Sequence, residues 1–115
     1  MSEFSKDNPE THLQKQQKML KRWSNGSVHL WGYGHSHRMM TFSVYCKNKK
    51  GLLLIACGDV QHYCGPIEMT DCSFELSSID PEETEYTLSD PQNGFKLTCG
   101  YINTNVRHDI EMPPI

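Results

Sequence analysis

The sequence predicts an α+β fold: one N-terminal helix packed on a curved antiparallel sheet of five to seven strands, a small sandwich or barrel-like structure. Three observations carry this expectation. Residues 9–23 place apolar side chains at helical spacing, residues 27–110 alternate strand formers between turn signals, and 115 residues allow a single domain with one core.

The helix is expected to start at Asn8, a capping residue followed by Pro9 at the first helical position and Glu10 in the first turn. It should run to about Trp23. Leu13, Gln16, Gln17, Leu20 and Trp23, with Met19 beside them, form a thin apolar stripe for packing. Lys15, Lys18, Lys21 and Arg22 form a solvated basic face, and Ser24-Asn25-Gly26 ends the element.

Beyond it, strands are expected at 27–33, 37–47, 51–60, 67–76, 84–89, 95–102 and 104–110. Asn48-Lys49-Lys50-Gly51 reads as a hairpin connection, because glycine can take the left-handed conformation that closes it. Strands 37–47 and 51–60 should then be antiparallel neighbours. Asp80-Pro81 and Asp90-Pro91 each start a turn, with Glu82, Glu83 and Glu85 on an exposed excursion between them. Residues 1–8 and 111–115 are expected to be loose ends of the single domain 1–115.

Apolar residues make up 37% of the chain and charged residues 22%, which is ordinary for a globular domain. No basic segment followed by an apolar run opens the sequence, so the expectation is a cytoplasmic protein that does not enter a membrane. An odd count of five cysteines then implies reduced thiols. Residues 1–58 carry nine Lys/Arg against three Asp/Glu, and residues 59–115 two against eleven. A fold that interleaves the halves would cancel this polarity; otherwise it favours self-association or a charged partner.

Between His29 and Cys72 lie four of the six histidines and four of the five cysteines. Alternation along strands sorts them, since every second side chain shares a face. Cys46 falls with Met40, Phe42 and Val44; Cys72 with Phe74 and Leu76; Cys99 with Phe95, Leu97 and Tyr101; and Cys57 ends the apolar run from Leu52. These four thiols are expected in the core as small hydrophobes. Cys64, in Gln61-His62-Tyr63-Cys64-Gly65-Pro66, is expected to be accessible.

His35 and His37 share parity, so a strand would aim both imidazoles at one ion, and the loop carrying His62 and Cys64 could complete a three-nitrogen, one-sulfur zinc-type site. His29 is an alternative ligand. The spacing matches no zinc knuckle or His-Glu-x-x-His motif. A thiol enzyme with Cys64 as nucleophile and His62, His35 or His37 as base is chemically allowed, but Asp59 lies too early to orient that base. Trp31, Tyr33, Phe42 and Tyr45 could stack bases, yet the net charge of −3 and the lack of an RNP-like motif speak against nucleic acid.

The residues therefore favour a small binding or interaction module without catalytic activity, with a homodimer or protein partner. A zinc-binding protein using His35, His37, His62 and Cys64 comes second, and a thiol-dependent enzyme third.

Overall fold

The computed structural model describes residues 10–34, 36–79, 82 and 84–108, apart from the side chain of His37. Helix α1 spans His12–Arg22. Glu10 and Thr11 precede it in non-helical conformation, so the expected cap at Asn8 is replaced by one at Thr11; Asn8 and Pro9 lie outside the described residues. A reciprocal capping box decides the start: the Thr11 hydroxyl accepts from the Gln14 amide, and the Gln14 side chain accepts from the Thr11 amide, both at 3.1 Å. Lys21 and Arg22 occupy the last turn, where the helix dipole favours cations.

Seven strands follow: β1 Gly26–Gly34, β2 Met39–Tyr45, β3 Leu52–Cys64, β4 Glu68–Cys72, β5 Glu75–Ser77, β6 Tyr86–Asp90 and β7 Phe95–Arg107. They form one sheet in the order β4-β1-β2-β3-β7-β6-β5, antiparallel throughout. As the Asn48–Gly51 turn predicts, β2 and β3 are antiparallel neighbours, and Gly51 takes φ +82°. The expected strand 67–76 is instead two strands at opposite edges of the sheet. Only Ser73 and Phe74 separate β4 from β5, so the sheet must curl until its edges approach, giving a half-barrel.

Asp90 ties these edges. Its buried carboxylate accepts from Asn93 Nδ2 at 2.6 Å and from the Ser73 amide at 3.3 Å, and the Cys72 thiol also donates to it. Further boundaries differ from the periodicity. The expected strand 51–60 runs on to Cys64, because its residues keep pairing with β7 down to Lys96, so His62 and Cys64 lie on a strand and not on the expected loop. Residues 95–102 and 104–110 are expected as separate strands, but Asn103 pairs with Ala56 without interruption, so β7 is one strand ending at Arg107. The expected strand 37–47 starts at Met39, because Ser36–Arg38 forms a 3₁₀ turn in which Arg38 has φ +45°. Asp90-Pro91 starts a turn as expected, whereas Asp80-Pro81 and the expected loose ends 1–8 and 111–115 lie outside the described residues.

The core sits on the concave face. Phe95 meets Phe42, Tyr63 and Phe74 edge-on, with ring centroids 5.5, 5.6 and 5.2 Å apart, while Leu53, Ile55, Leu88, Leu97 and Ile102 are sealed from solvent. Helix α1 covers one half of this face, burying Gln16, Leu20 and Trp23. Its polar groups find partners there: His12 Nε2 donates to the Ile102 carbonyl (2.6 Å), Thr104 Oγ1 to Gln16 Oε1 (2.5 Å) and Gln17 Nε2 to the Leu76 carbonyl (2.8 Å). The helix from the basic half thus packs on strands from the acidic half, as β3 does on β7. Among the described residues no helix lies over the other half of the concave face, where β1 ends and β2 begins.

Candidate functional site

Four of the five cysteines are buried in the core as alternation predicts: Cys46, Cys57, Cys72 and Cys99; Cys64 is exposed. Cys57 and Cys99 hydrogen-bond to one another, which with burial drives the Cys57 thiol up. Burial first, and then its hydrogen bond to Asp90, drives the Cys72 thiol far up, so both remain protonated. Cys46 donates weakly to the Trp23 carbonyl at 3.6 Å. These thiols serve packing.

The histidines are dispersed. His29 pairs with Glu68 at the β1–β4 junction, Nδ1 to Oε2 at 3.1 Å. His62 and Cys64 lie opposite Thr98 and Lys96 on β7 and alternate with Tyr63, so they share the outer face and are exposed. His37 is in the 3₁₀ turn rather than on a strand, which removes the alternation that paired it with His35. His35 and the His37 side chain lie outside the described residues, and among the described residues no three His, Cys, Asp or Glu side chains group as metal ligands would.

What the fold does build is a groove where the helix does not reach. Leu30 and Tyr33 from β1, Met40 from β2, and Val60, Gln61, His62 and Tyr63 from β3 line an open hollow of about 410 Å³. Met40 and Val60 are buried and form its floor, while Tyr33 is 56% exposed. Among the described residues no Lys, Arg, Asp or Glu lines it. Tyr63 is held by its hydroxyl, which donates to the Pro66 carbonyl at 2.5 Å, and burial together with nearby Cys64 raises its pKa. It is therefore a neutral donor rather than a titrating base.

Register shifts shape the groove. One lies between Leu30 and Gly32 and makes Trp31 the extra residue; another lies between Val60 and His62 and makes Gln61 extra. The first turns Tyr33 to the inner face opposite Met40, in line with Leu30 opposite Phe42. Asp59, with φ +53°, is a further irregularity between the Gly58–Tyr101 and Val60–Cys99 pairs. The base-stacking set does not form one surface, since Phe42 is sealed in the core and Tyr45 pairs with Ser27 on the opposite face.

Of the groove residues, sequence reasoning singled out His62 and Tyr33, for other roles. Met40 reads as an ordinary core position, Tyr63 falls in the turn signals around 61–66, and nothing in the sequence sets Leu30 and Val60 apart from other strand residues. A second hollow, of about 430 Å³, lies among Ser24, Asn25, Ser27, Tyr45, Cys46, Lys47 and Asn48 and is lined by polar and apolar surface in about equal parts.

Protein-family models, curated proteins and solved structures give no match to this chain. Among the described residues no helix is long and apolar enough to cross a membrane.

Proposed function

We propose that this protein is a binding module without catalytic activity of its own, whose uncovered half-barrel end receives a neutral, mostly apolar side chain of a protein partner. One observation supports this above all. The inner-face row of Leu30, Met40 and Val60 continues past the helix into an open groove, and exposed Tyr33 stands at its wall. A hollow of about 410 Å³ falls within the size range of ligand sites, which are apolar with a few orienting polar groups. Gln61 supplies such a group, and a lining without Lys, Arg, Asp or Glu among the described residues selects an uncharged guest because a buried charge would lack a counterion.

Titration with p-cresol and indole, the side-chain groups of tyrosine and tryptophan, tests the reading by NMR of the methyl groups. Saturable shifts confined to Leu30, Met40 and Val60, abolished by the groove-filling substitution Val60→Phe, are expected. Shifts spread over the surface, or unchanged in that variant, would remove the groove from consideration.

A second reading is favoured by a separate observation: His62 and Cys64 share one face of β3, and the 3₁₀ turn that carries His37 packs against that strand. Zinc held by His35, His37, His62 and Cys64 would stabilise the native state. Purified, tag-free protein should then contain one equivalent of metal and melt higher with added zinc; absence of both sinks this alternative.

A further inference from the structure

The outer edge of β1 is only half paired. β4 accompanies β1 through His29, and the last contact between them is the Leu30 amide donating to the Ile67 carbonyl at 2.8 Å. On its other side β1 continues to pair with β2 as far as Gly34. Trp31, Gly32 and Gly34 therefore run on with no strand along their outer side among the described residues. Strand edges left open present a row of backbone donors and acceptors, and proteins usually blunt them with charges or proline. Leu30-Trp31-Gly32-Tyr33-Gly34 contains neither. Among the described residues a Cβ at Gly32 or Gly34 would meet nothing within 4 Å, so the sheet face is uncrowded along this stretch.

We propose that this edge binds an extended, uncharged peptide segment of a partner protein by strand addition, with one aromatic or branched side chain of that segment entering the groove. The inference rests on the groove reading above and specifies its partner. A strand added alongside β1 would point alternate side chains to the concave face, where Leu30 and Tyr33 already line the hollow. The uncharged edge and groove lining match an uncharged guest. The apolar surface on offer also selects a peptide over a second copy of this chain. Trp31, Tyr33 and Ile67 are 39%, 56% and 58% exposed. That amounts to roughly 300–400 Å², about half of the ~800 Å² per partner of a standard interface.

The test uses the ¹⁵N- and methyl-labelled protein and acetylated, amidated pentapeptides Thr-Val-Xaa-Val-Thr, with Xaa as Tyr, Phe, Asp or Lys. Two further versions of the Tyr peptide carry N-methyl groups on one or the other set of alternate amides. The amides of Trp31, Gly32 and Gly34 and the methyls of Leu30, Met40 and Val60 should shift together, at least tenfold more tightly with Tyr or Phe than with Asp or Lys. One N-methylation pattern should weaken binding tenfold or more and the other should not; Trp31→Lys, at an exposed position, should weaken it as well.

If the groove methyls shift but neither N-methylation pattern matters, strand addition is refuted and the groove reading stands. No shift at either place with any peptide sinks both. Sedimentation showing a dimer that Trp31→Lys dissociates would give the edge to a second copy and overturn the peptide assignment.

Discussion

Replacing Asp90 with alanine is expected to destabilise the fold by about 3 kcal/mol, because the change removes the acceptor at the point where the two sheet edges meet. Asp90 is 2% exposed. Its carboxylate takes the Asn93 side-chain amide at 2.6 Å, the exposed Ser73 amide at 3.3 Å and the buried Cys72 thiol, so alanine takes the acceptor from three donors, of which only the thiol is sealed from water. The short bond from Asn93 to the charged group contributes roughly 1.5–3 kcal/mol and the buried Cys72 thiol left without its acceptor adds about 1, while the exposed Ser73 amide finds water instead. For a chain of this size the loss corresponds to a fall in Tm of roughly 10–15 °C. Asp90→Asn keeps one acceptor oxygen and should cost about half as much.

The pH dependence follows from the direction of the shift. Burial pushes the Asp90 carboxyl up, but the hydrogen bonds from Cys72, Asn93 and Ser73 outweigh it and bring the group below its ordinary value of 3.8. A carboxyl that ionises more readily in the folded state contributes fully above its unfolded value, and the contribution is lost as pH falls through the folded one. Urea denaturation of the wild type, Asp90→Ala and Asp90→Asn should show a gap between wild type and Asp90→Asn at neutral pH that shrinks as pH is lowered below 3.8. A gap of constant size, or an alanine variant within about 1 kcal/mol of wild type, would refute the view that this carboxylate joins the edges.

Three other outcomes are expected. An aromatic disulfide reagent should titrate a single thiol in the native protein and all five after unfolding, and Cys64→Ser should leave no reactive native thiol, since the other four cysteines are buried. Phe95→Ala should cost roughly 3–5 kcal/mol in denaturant unfolding, as Phe95 is 2% exposed and its ring meets Phe42, Tyr63 and Phe74; a loss under about 1.5 kcal/mol would mean the aromatic cluster is loosely packed. Gly51→Ala should cost more than Gly94→Ala. Both glycines have positive φ, +82° and +70°, but a Cβ at Gly51 would lie 2.5 Å from the Arg107 carbonyl oxygen while one at Gly94 meets open space, so equal melting temperatures would contradict the β2–β3 turn geometry.

The helix, the hairpin at Asn48–Gly51 and the sorting of the thiols were legible because each depends on near neighbours in the chain. Alternation placed Cys46 with Phe42 and Val44, and Cys99 with Phe95 and Leu97, because these stretches keep a regular pleat; Cys72 is buried as well, although its strand ends there. Where the pleat slips, the same rule misleads. His37 left the strand pattern because Arg38 turns left-handed within a 3₁₀ turn, and residues 67–76 looked like one strand because the break at Ser73 and Phe74 carries neither glycine nor proline. The groove was not legible at all. Its lining comes from three strands, and the extra residues at Trp31 and Gln61 that aim it are visible only as offsets in pairing.

Composition and periodicity alone were enough to set one helix against a curved antiparallel sheet and to send four thiols inward, since burial of apolar side chains follows the local period of the backbone. Tertiary structure decided the rest: that β4 and β5 take opposite edges, that Asp90 draws those edges together, and that α1 covers only half of the concave face. These depend on strand order and register between distant segments. The hollow beside β1 exists because a helix of eleven residues is too short to cover the whole of a seven-stranded sheet.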